Sequence, residues 1–363
     1  MTRVVVVGTG LIGASIGLGL RRAGVTVVGV DRDPARAEHA LARGALDAVA
    51  PGLPEAVSQA DVVVVAVPVD AVADVVVAAL DAGAATVTDV ASVKAPIVAA
   101  VQAARPERAA RFVAGHPMAG SEQDGPAGAH PDLFLAATWV LTPTEGTDPD
   151  AFRAVRSLVG TLGAEVVAVA PEHHDTLAAV VSHVPHLAAG TLMDVAAGGG
   201  EQHATMLRLA AGGFRDMTRI ASGDPHIWPD ICVANRDAIV AGLDEYLEAL
   251  GAARDLVATG DRAGIRALLE RARAARRSLP MGTGTDEALV EMRVPVPDRP
   301  GVLAEVTTLA GGLGINIADF EIAHSVEGGR GVLVMVVGES SRVGDLETAL
   351  SERGYHPSHT RLA

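Results

Sequence analysis

Short valine-rich runs alternate with helix-length stretches over residues 1–170. Strands separated by helix-length segments are typical of βαβ units, which build a mostly parallel sheet covered by helices on both faces. The pattern therefore predicts an α/β domain with a doubly wound sheet over residues 1–170. Its predicted strands span residues 3–7, 26–30, 62–67, 85–88, 112–114, 139–142 and 165–170.

The β-type runs stop at about residue 171, and apolar residues then recur at helical spacing. Four of them share one predicted helical face: Ile239, Leu243, Tyr246 and Leu250. We expect an all-helical second domain over residues 171–280. The Ser, Pro and Gly residues of 278–287 indicate a linker after it.

The last segment, residues 288–363, changes character again. Its pattern predicts strand, helix, two strands, helix and strand, which is the ferredoxin-like βαββαβ order. The predicted elements span residues 289–296, 302–313, 315–325, 331–337 and 346–353, followed by a short final strand.

Length and composition agree with this division. A chain of 363 residues is too long for one ordinary core, so we expect about two or three domains. Hydrophobic residues make up 49% of the chain but aromatic residues only 2%, so the cores must be built from aliphatic side chains. The net charge of -15 argues against a nucleic-acid partner, because phosphate backbones need basic patches.

Redox chemistry and targeting signals add little. The single cysteine, Cys232, excludes an intrachain disulfide and a cysteine-based metal cluster. The apolar run at residues 4–7 is too short for a signal peptide, and the run at 62–69 is too short to span a membrane. We expect a cytoplasmic protein with no membrane partner.

A glycine-rich turn joins the first predicted strand to the first predicted helix. In such a turn, Gly8 allows a tight bend and Gly10 lets the backbone approach a pyrophosphate. Gly13 lets the helix pack closely on the strand. The free N–H groups and dipole at the start of the helix favour phosphate. The turn therefore predicts a Rossmann-type dinucleotide-binding domain.

The next predicted strand ends at Asp31. Its carboxylate can accept both ribose hydroxyls of NAD and would repel the 2′-phosphate of NADP, although the neighbouring Arg32 could weaken this preference. A glycine turn with a surface aspartate is the alternative interpretation. The predicted NAD-binding residues are Gly8, Gly10, Leu11, Ile12, Gly13 and Asp31.

Two polar segments follow later strands. The first contains Ser92 and Lys94, the only lysine in the chain, whose role the sequence leaves open. The second contains His116, which topology places near the nicotinamide, because open α/β sheets bind ligands beyond the carboxyl ends of their strands. An imidazole there can take a hydroxyl proton while hydride leaves the same carbon. A histidine that caps a loop is the alternative.

The helical stretch holds further candidates. His183 and His186 are three residues apart, a spacing that also suits a metal ion. With no third ligand evident, we expect no metal. Arginine is the natural clamp for a carboxylate, so Arg215 and Arg219 are candidates, although either alone could be a surface charge.

Taken together and in this order, the motifs resemble those of prephenate dehydrogenases. The resemblance covers roughly residues 1–277, and the tail resembles an ACT domain, an amino-acid-sensing module. The motifs that carry it lie at residues 8–13, 92–94, 116–120, 182–186, 212–219, 224–228, 298–303 and 314–317.

This resemblance implies roles for individual residues. His116 matches the catalytic histidine that accepts the proton of the ring hydroxyl, and Ser92 matches a serine that orients it. The helical domain is then a substrate-binding and dimerisation domain. The implied substrate-binding positions are His186, Arg219, Ser121, Glu122 and Trp228.

The implied reaction is the NAD-dependent oxidative decarboxylation of prephenate to 4-hydroxyphenylpyruvate, a step of tyrosine biosynthesis. Aromatisation drives it, so no metal is required. Arogenate, which carries an amine in place of the keto group, is the alternative substrate. Glu122 or Asp124 could pair with that amine, and the sequence leaves the choice open.

Other functions remain as alternatives. A hydroxyacid dehydrogenase can also carry an ACT domain, but its dinucleotide motif lies in the middle of the chain, whereas here it begins at Gly8. A non-catalytic amino-acid sensor would give His116, Ser92 and Arg219 no shared purpose.

The ACT resemblance implies an amino-acid effector, and L-tyrosine, the end product, is the simplest candidate. Helix N-terminal N–H groups suit its carboxylate, and an asparagine amide can both donate and accept. ACT modules commonly pair, so we expect a homodimer. The predicted regulatory residues are Asp298, Gly301, Val302 and Asn316.

Overall fold

The computed structural model describes residues 2–58, 60–120, 125–198, 210, 212–278, 289–297, 299–324, 330–338 and 342–362. The chain divides into two compact units, Met1–Arg262 and Ala263–Ala363. Each unit contains one sheet, of eight strands in the first and four in the second.

Eight strands and six helices build the sheet domain of the first unit. The strands are β1 (Arg3–Val7), β2 (Thr26–Val30), β3 (Ala48–Val49), β4 (Val62–Val65), β5 (Val87–Asp89), β6 (Phe112–Pro117), β7 (Thr138–Thr142) and β8 (Glu165–Ala168). The helices are α1 (Leu11–Arg22), α2 (Pro34–Ala42), α3 (Leu53–Val57), α4 (Val69–Asp81), α5 (Ala95–Ala104) and α6 (Pro149–Thr161).

The strand order is β3-β2-β1-β4-β5-β6-β7-β8. Neighbouring strands are parallel except β6 and β7, which are antiparallel. Successive valines of β1 and β4 enter different cores on the two faces of the sheet, and both cores are covered by helices. The predicted doubly wound, mostly parallel sheet is confirmed.

Most strands match their predicted bounds to within two residues, but β3 was not predicted and β6 is longer than predicted. Strand β3 has only two residues, both exposed, and is too short to form an apolar run, so the sequence pattern did not predict it. Strand β6 was predicted to end at Ala114 but extends to Pro117, because residues 114–117 pair with β7. His116 therefore lies within a strand, opposite Val140, rather than in the loop beyond it.

The part of the first unit after β8 that the structure describes is mainly helical, as predicted. The helices are α7 (Pro171–Ala178), α8 (Val184–Ala197), α9 (Gly212–Thr218), α10 (Trp228–Ala234) and α11 (Arg236–Thr259), and α12 (Arg262–Arg277) begins at its end. A π-helical turn, Ala179–His183, joins α7 to α8. Tight 3₁₀ turns at Arg219–Ser222 and Pro225–Ile227 join α9 to α10.

The continuous helix Pro171–Ala197 is long and apolar enough to cross a membrane, by length and composition only. Its mean hydropathy is 1.2 over the most apolar window, and 28% of that window is buried inside the molecule. His174, Asp175 and His183 are buried on it and make hydrogen bonds within the first unit. We interpret it as a helix of the helical domain on the strength of these polar contacts.

The predicted apolar face of α11 is only partly covered. Ile239 is 4% exposed, whereas Tyr246 is 37% and Leu250 52% exposed. Exposed apolar side chains also lie on the preceding helices at Leu177, Val180 and Val181. Large apolar patches on a protein surface are typical of interaction sites.

The second unit has the predicted ferredoxin-like order. Its elements are β9 (Leu289–Pro297), α13 (Val302–Gly312), β10 (Ile317–His324), β11 (Arg330–Gly338), α14 (Val343–Glu352) and β12 (Ser358–Leu362). The antiparallel sheet has the order β10-β11-β9-β12. Met292, Leu333, Met335 and Leu346 are fully buried in its core.

The close contact of α1 with β1 gives a test of the fold. A Cβ at Gly13 would lie 1.9 Å from the carbonyl oxygen of Gly8, whereas a Cβ at Gly10 meets no heavy atom within 4 Å. Glycine to alanine inside a helix normally stabilises by about 0.5–1 kcal/mol. We expect Gly13→Ala to destabilise instead, by about 1–3 kcal/mol, because the new methyl group overpacks the contact.

Thermal unfolding followed by calorimetry measures this effect, with Gly10→Ala as the matched control. The control should leave the Tm of the first unit unchanged. A Gly13→Ala variant with a Tm at or above that of the unmodified protein would contradict the packing described for α1.

Candidate active site

The candidate site lies at the carboxyl ends of the parallel strands. The strand order reverses direction between β1 and β4, and such a switch point opens a crevice for ligands in α/β sheets. Gly8, which follows β1, has a φ of +90°, and a Cβ there would lie 2.2 Å from the carbonyl oxygen of Ala66. Only glycine fits this turn, because both the backbone angle and the space exclude a side chain.

The N-terminus of α1 opens toward this crevice. Its first turn has no acidic residue, and no side chain caps it at Gly10. The space beside Gly10 is open, so a ligand can approach its backbone closely. Leu11 and Ile12 form the half-buried first turn of α1. Free N–H groups, a helix dipole and a missing Cβ together fit a dinucleotide pyrophosphate.

Asp31 follows β2 and is held firmly. Its Oδ2 accepts hydrogen bonds from the Thr9 backbone N–H at 2.7 Å and from the Thr9 hydroxyl at 2.9 Å. Its Oδ1 accepts one from the Asp33 N–H at 2.9 Å. The carboxylate is thus oriented beside the glycine turn, where the ribose of a dinucleotide lies in this fold.

His116 is buried at the carboxyl end of β6, with 9% of the residue exposed. Its Nδ1 lies 2.9 Å from Nε2 of His174, and the two rings meet edge to face at 72°. Burial is the largest cause that holds the pKa of His116 well below 6.5, and the neighbouring His174, Lys94 and His183 lower it further.

His174 is in turn held by its neighbour in sequence. Its Nδ1 lies 2.8 Å from Oδ1 of Asp175. Asp175 also accepts the backbone N–H of Lys94 at 2.7 Å and that of Ala95 at 2.8 Å. A carboxylate on α7 therefore caps the start of α5 and fixes the imidazole that contacts His116.

The contacts of Lys94 explain why a lysine occurs at this position. Its ammonium group is fully buried, forms an ion pair with Asp89 and donates to the carbonyl oxygen of Gly115 at 2.8 Å. Asp89 also accepts the N–H of Ala91 at 3.0 Å and that of Gly115 at 3.1 Å. The pair links β5 to β6 beneath His116, and burial lowers the pKa of Lys94 against the opposing effect of Asp89.

His183, in the π-helical turn, has a different environment from His116. It is fully buried, and its Nδ1 lies 3.2 Å from the side-chain amide nitrogen of Asn235, which also donates to the backbone carbonyl of Asp175 at 2.9 Å. Since the amide nitrogen can only donate, Nδ1 of His183 accepts and its Nε2 carries the proton. Burial lowers the pKa of His183 to about 4, so the ring is neutral and cannot serve as a base through Nε2.

His186 and Trp228 stack face to face, with ring centroids 3.6 Å apart. The 3₁₀ turn that begins at Arg219 packs against α8, and a Cβ at Gly223 would lie 3.5 Å from the His186 ring. Arg219 itself is exposed. The structure thus brings His186 and Trp228 together, next to the turn that carries Arg219.

The remaining predicted site residues are placed as follows. Ser92 is partly exposed in the loop between β5 and α5, and the hydrogen-bond partner of Nδ1 of His116 is Nε2 of His174. Ser121, Glu122 and Asp298 lie outside the described residues. Gly301 has a φ of +87° before α13, where Val302 is buried and begins the helix, and Asn316 is exposed just before β10.

Sequence reasoning missed His174, Asp175 and Asn235. The signal that could have found them is a polar cluster, His173-His174-Asp175, at the start of an otherwise apolar helix. Among the residues that the structure describes, no group of three His, Cys, Asp or Glu side chains could hold a metal ion.

Comparisons with known proteins give the family. A model of the "Prephenate dehydrogenase, nucleotide-binding domain" matches residues 16–168, and one of the "Prephenate dehydrogenase, dimerization domain" matches residues 170–271. An ACT domain model matches residues 291–354. The chain is 34% identical to the prephenate dehydrogenase of Bacillus subtilis over 336 residues, covering 91% of this chain and 90% of that protein.

Solved structures agree. Aquifex aeolicus prephenate dehydrogenase in complex with hydroxyphenyl propionate and NAD+ is 29% identical, with a TM-score of 0.70, over 76% of this chain and 97% of that chain. Synechocystis arogenate dehydrogenase is 31% identical, with a TM-score of 0.66, over 76% of this chain and 99% of that chain. With matches along both its sheet and helical domains, the chain belongs to the prephenate dehydrogenase family and carries a C-terminal ACT domain.

Proposed function

We propose that this chain is an NAD-dependent prephenate dehydrogenase that forms 4-hydroxyphenylpyruvate for tyrosine biosynthesis. The observation that carries the proposal is the placement of His116. It is a buried imidazole whose pKa is held well below 6.5, at the carboxyl end of β6 in the same sheet whose strand β1 leads into the dinucleotide turn. Family membership and the 34% identity to a prephenate dehydrogenase support it.

The cofactor, when bound, supplies the hydride acceptor. Backbone N–H groups at the start of α1 bind the pyrophosphate, and Asp31 accepts the ribose hydroxyls. His116 takes the proton of the ring hydroxyl while C4 loses its hydride, which leaves a carbonyl at C4. The bond from the ring to its carboxylate then breaks, CO2 leaves, and its electron pair makes the ring aromatic. The proton on His116 returns to the resulting phenolate oxygen.

The helical domain supplies the groups that hold the substrate. Prephenate carries two carboxylates, and we propose that Arg219 and His186 bind them, with Trp228 packing beside His186. An arginine fits a carboxylate through two parallel N–H bonds. Burial lowers the pKa of His186, so its contribution is that of a neutral N–H donor. Ser92 is proposed to help orient His116, and Ser121 and Glu122 to line the pocket.

Arogenate is the second candidate substrate, because an arogenate dehydrogenase is among the similar solved structures. The two substrates differ by an ammonium group in place of a keto group. An acidic side chain beside the pocket would favour arogenate, and Glu122 and Asp124 are the candidates.

Assembly and location complete the proposal. Residues 170–271 match a dimerization domain, and this part of the chain exposes Val180, Val181 and Leu250. We propose that a second copy covers this apolar surface in a homodimer. The lone cysteine fits a reducing compartment, and a cytoplasmic location is proposed.

The ACT domain is proposed to bind L-tyrosine. The Gly301 turn leads into the N-terminus of α13, whose N–H groups suit the carboxylate of an amino acid, and the exposed Asn316 offers an amide. Inhibition requires that tyrosine bind one conformation better than another.

The first test is NADH formation with prephenate and with arogenate in the unmodified enzyme and in His116→Asn. We expect prephenate to be preferred and kcat of the variant to fall by about 10²–10⁴, with a small change in KM, because asparagine cannot accept the proton.

The pH profile checks the same assignment. The active form of His116 is neutral, so kcat/KM should hold above its pKa and fall as the pH drops through it. Because burial lowers that pKa, the acid limb should lie below 6.5. A variant that keeps most of its activity, or an acid limb above 7, would place the base elsewhere.

A second test concerns the cofactor. Asp31→Ala should raise the KM for NAD about tenfold or more, through the loss of charge-assisted hydrogen bonds, and narrow the preference for NAD over NADP. Asp33→Asn is the matched control, since it removes a nearby charge and keeps a side chain able to cap α2. Equal kcat/KM values for both cofactors in the unmodified enzyme would defeat the assignment.

A third test concerns regulation. Tyrosine dose–response curves should show inhibition of the full chain and a much weaker response in Asn316→Ala, with Ser351→Ala as an exposed control in the same unit. Deleting residues 286–363 should abolish inhibition and leave hydride transfer largely intact. An inhibition constant that is unchanged in both altered proteins would show that tyrosine competes in the substrate pocket instead.

A further inference from the structure

His116 is connected to a buried carboxylate through a second imidazole. Nδ1 of His116 lies 2.9 Å from Nε2 of His174, and Nδ1 of His174 lies 2.8 Å from Oδ1 of Asp175. We propose that His174 and Asp175 are positioning residues that keep the proton of neutral His116 on Nδ1 and leave its Nε2 open as the proton acceptor. This inference rests on the proposed function of His116 as the base.

The direction of each hydrogen bond follows from the backbone. The N–H groups of Lys94 and Ala95 can only donate, so both oxygens of Asp175 accept. The contact at Oδ1 is then completed by a donating Nδ1–H of His174. A neutral His174 has no second proton, so its Nε2 accepts, and the donor must be Nδ1–H of His116.

The contacts of Asp175 do not require a charged partner at His174. The charge of Asp175 is already stabilised by two N–H groups at the start of α5, so it does not depend on a protonated partner. A cation on His174 would also be buried near the Lys94 ammonium group, since His174 is 3% and Lys94 0% exposed. Burying a further charge there is costly.

The same hydrogen-bond network also holds His174 and Asp175 in place. Asn235 on the loop before α11 donates to the backbone carbonyl of Asp175, while Asp175 itself caps α5. α7 is therefore fixed both to the start of α5 in the sheet domain and to the loop before α11 in its own helical domain. His174 cannot rotate freely, and the orientation of the His116 ring follows from it.

The arrangement has a consequence for the reaction. When Nε2 of His116 takes the hydroxyl proton, the ring becomes an imidazolium whose Nδ1–H donates to His174, and the negative charge of Asp175 stabilises it through that ring. Without His174, the buried Nδ1–H has no acceptor. The ring then favours the tautomer that carries its proton on Nε2, which cannot accept another.

The experiment uses three full-length variants. His174→Phe keeps a ring of similar shape and removes the acceptor. His174→Gln keeps a carbonyl oxygen that can accept and an amide that can donate to Asp175. His173→Phe is the matched control, because His173 is the exposed neighbour on the same helix. For each, kcat and KM with prephenate and NAD are measured across pH, and the His116 tautomer is assigned by ¹⁵N NMR.

We expect His174→Phe to lower kcat by about 10²–10⁴ with KM changed by less than about threefold, and His174→Gln to restore kcat to within about tenfold of the unmodified enzyme. His173→Phe should behave as the unmodified enzyme. Neutral His116 should carry its proton on Nδ1 in the unmodified protein and on Nε2 in His174→Phe. A merely structural role of His174 would not move the tautomer.

Two results would overturn the inference. One is a neutral His116 in the unmodified protein that carries its proton on Nε2; the other is a folded His174→Phe enzyme that keeps its kcat. If His174→Phe does not fold, His174→Gln and the tautomer of the unmodified protein still decide. A failure of the proposed function gives a different result from a failure of this inference. The unmodified enzyme would then oxidise neither prephenate nor arogenate, while the His116 tautomer could still be measured.

Discussion

The carboxylate of Asp175 is the group through which the parts of the candidate site are joined. It accepts N–H bonds from the start of α5 and from His174, and its backbone carbonyl accepts from Asn235. Three of these bonds are buried and the one from Ala95 is partly buried, and an unpaired buried partner costs about 1–3 kcal/mol. The helical domain can therefore take only the position that satisfies all of them, and this position brings His174 to His116.

The buried pair of Lys94 and Asp89 has a similar role inside the sheet domain. Breaking one partner of a buried ion pair typically costs about 3–5 kcal/mol, because the other charge is left without compensation. Every other Lys or Arg position in the chain is an arginine, and at position 94 the compact ammonium group reaches both Asp89 and the Gly115 carbonyl. The strand end that carries His116 is thus held by the Lys94 ammonium group, which also lowers the pKa of His116.

Much of the fold could be predicted because its signals are local. The valine runs specify buried parallel strands. Gly8 marks a tight turn and Gly13 a close contact of α1, and neither position has room for a side chain. The βαββαβ order of the second unit follows from the periodicity of its apolar residues. Topology also predicted that His116 lies at the carboxyl edge of the sheet. The contact between His116 and His174 was not predicted, because His174 lies 58 residues from His116 along the chain and becomes its partner only after the domains pack. The extension of β6 was missed for the same reason, since its pairing partner β7 is distant in sequence.

The central claim is that Nε2 of His116 faces the reacting hydroxyl while its Nδ1 is held by His174. A crystal structure of the enzyme with NAD and an unreactive 4-hydroxyphenyl analogue of the substrate measures this most directly. The account predicts a distance of about 2.6–3.2 Å between Nε2 of His116 and the phenol oxygen, with the contact to His174 retained. A phenol oxygen bound by a different titratable side chain, with Nε2 of His116 turned into the protein, would contradict it.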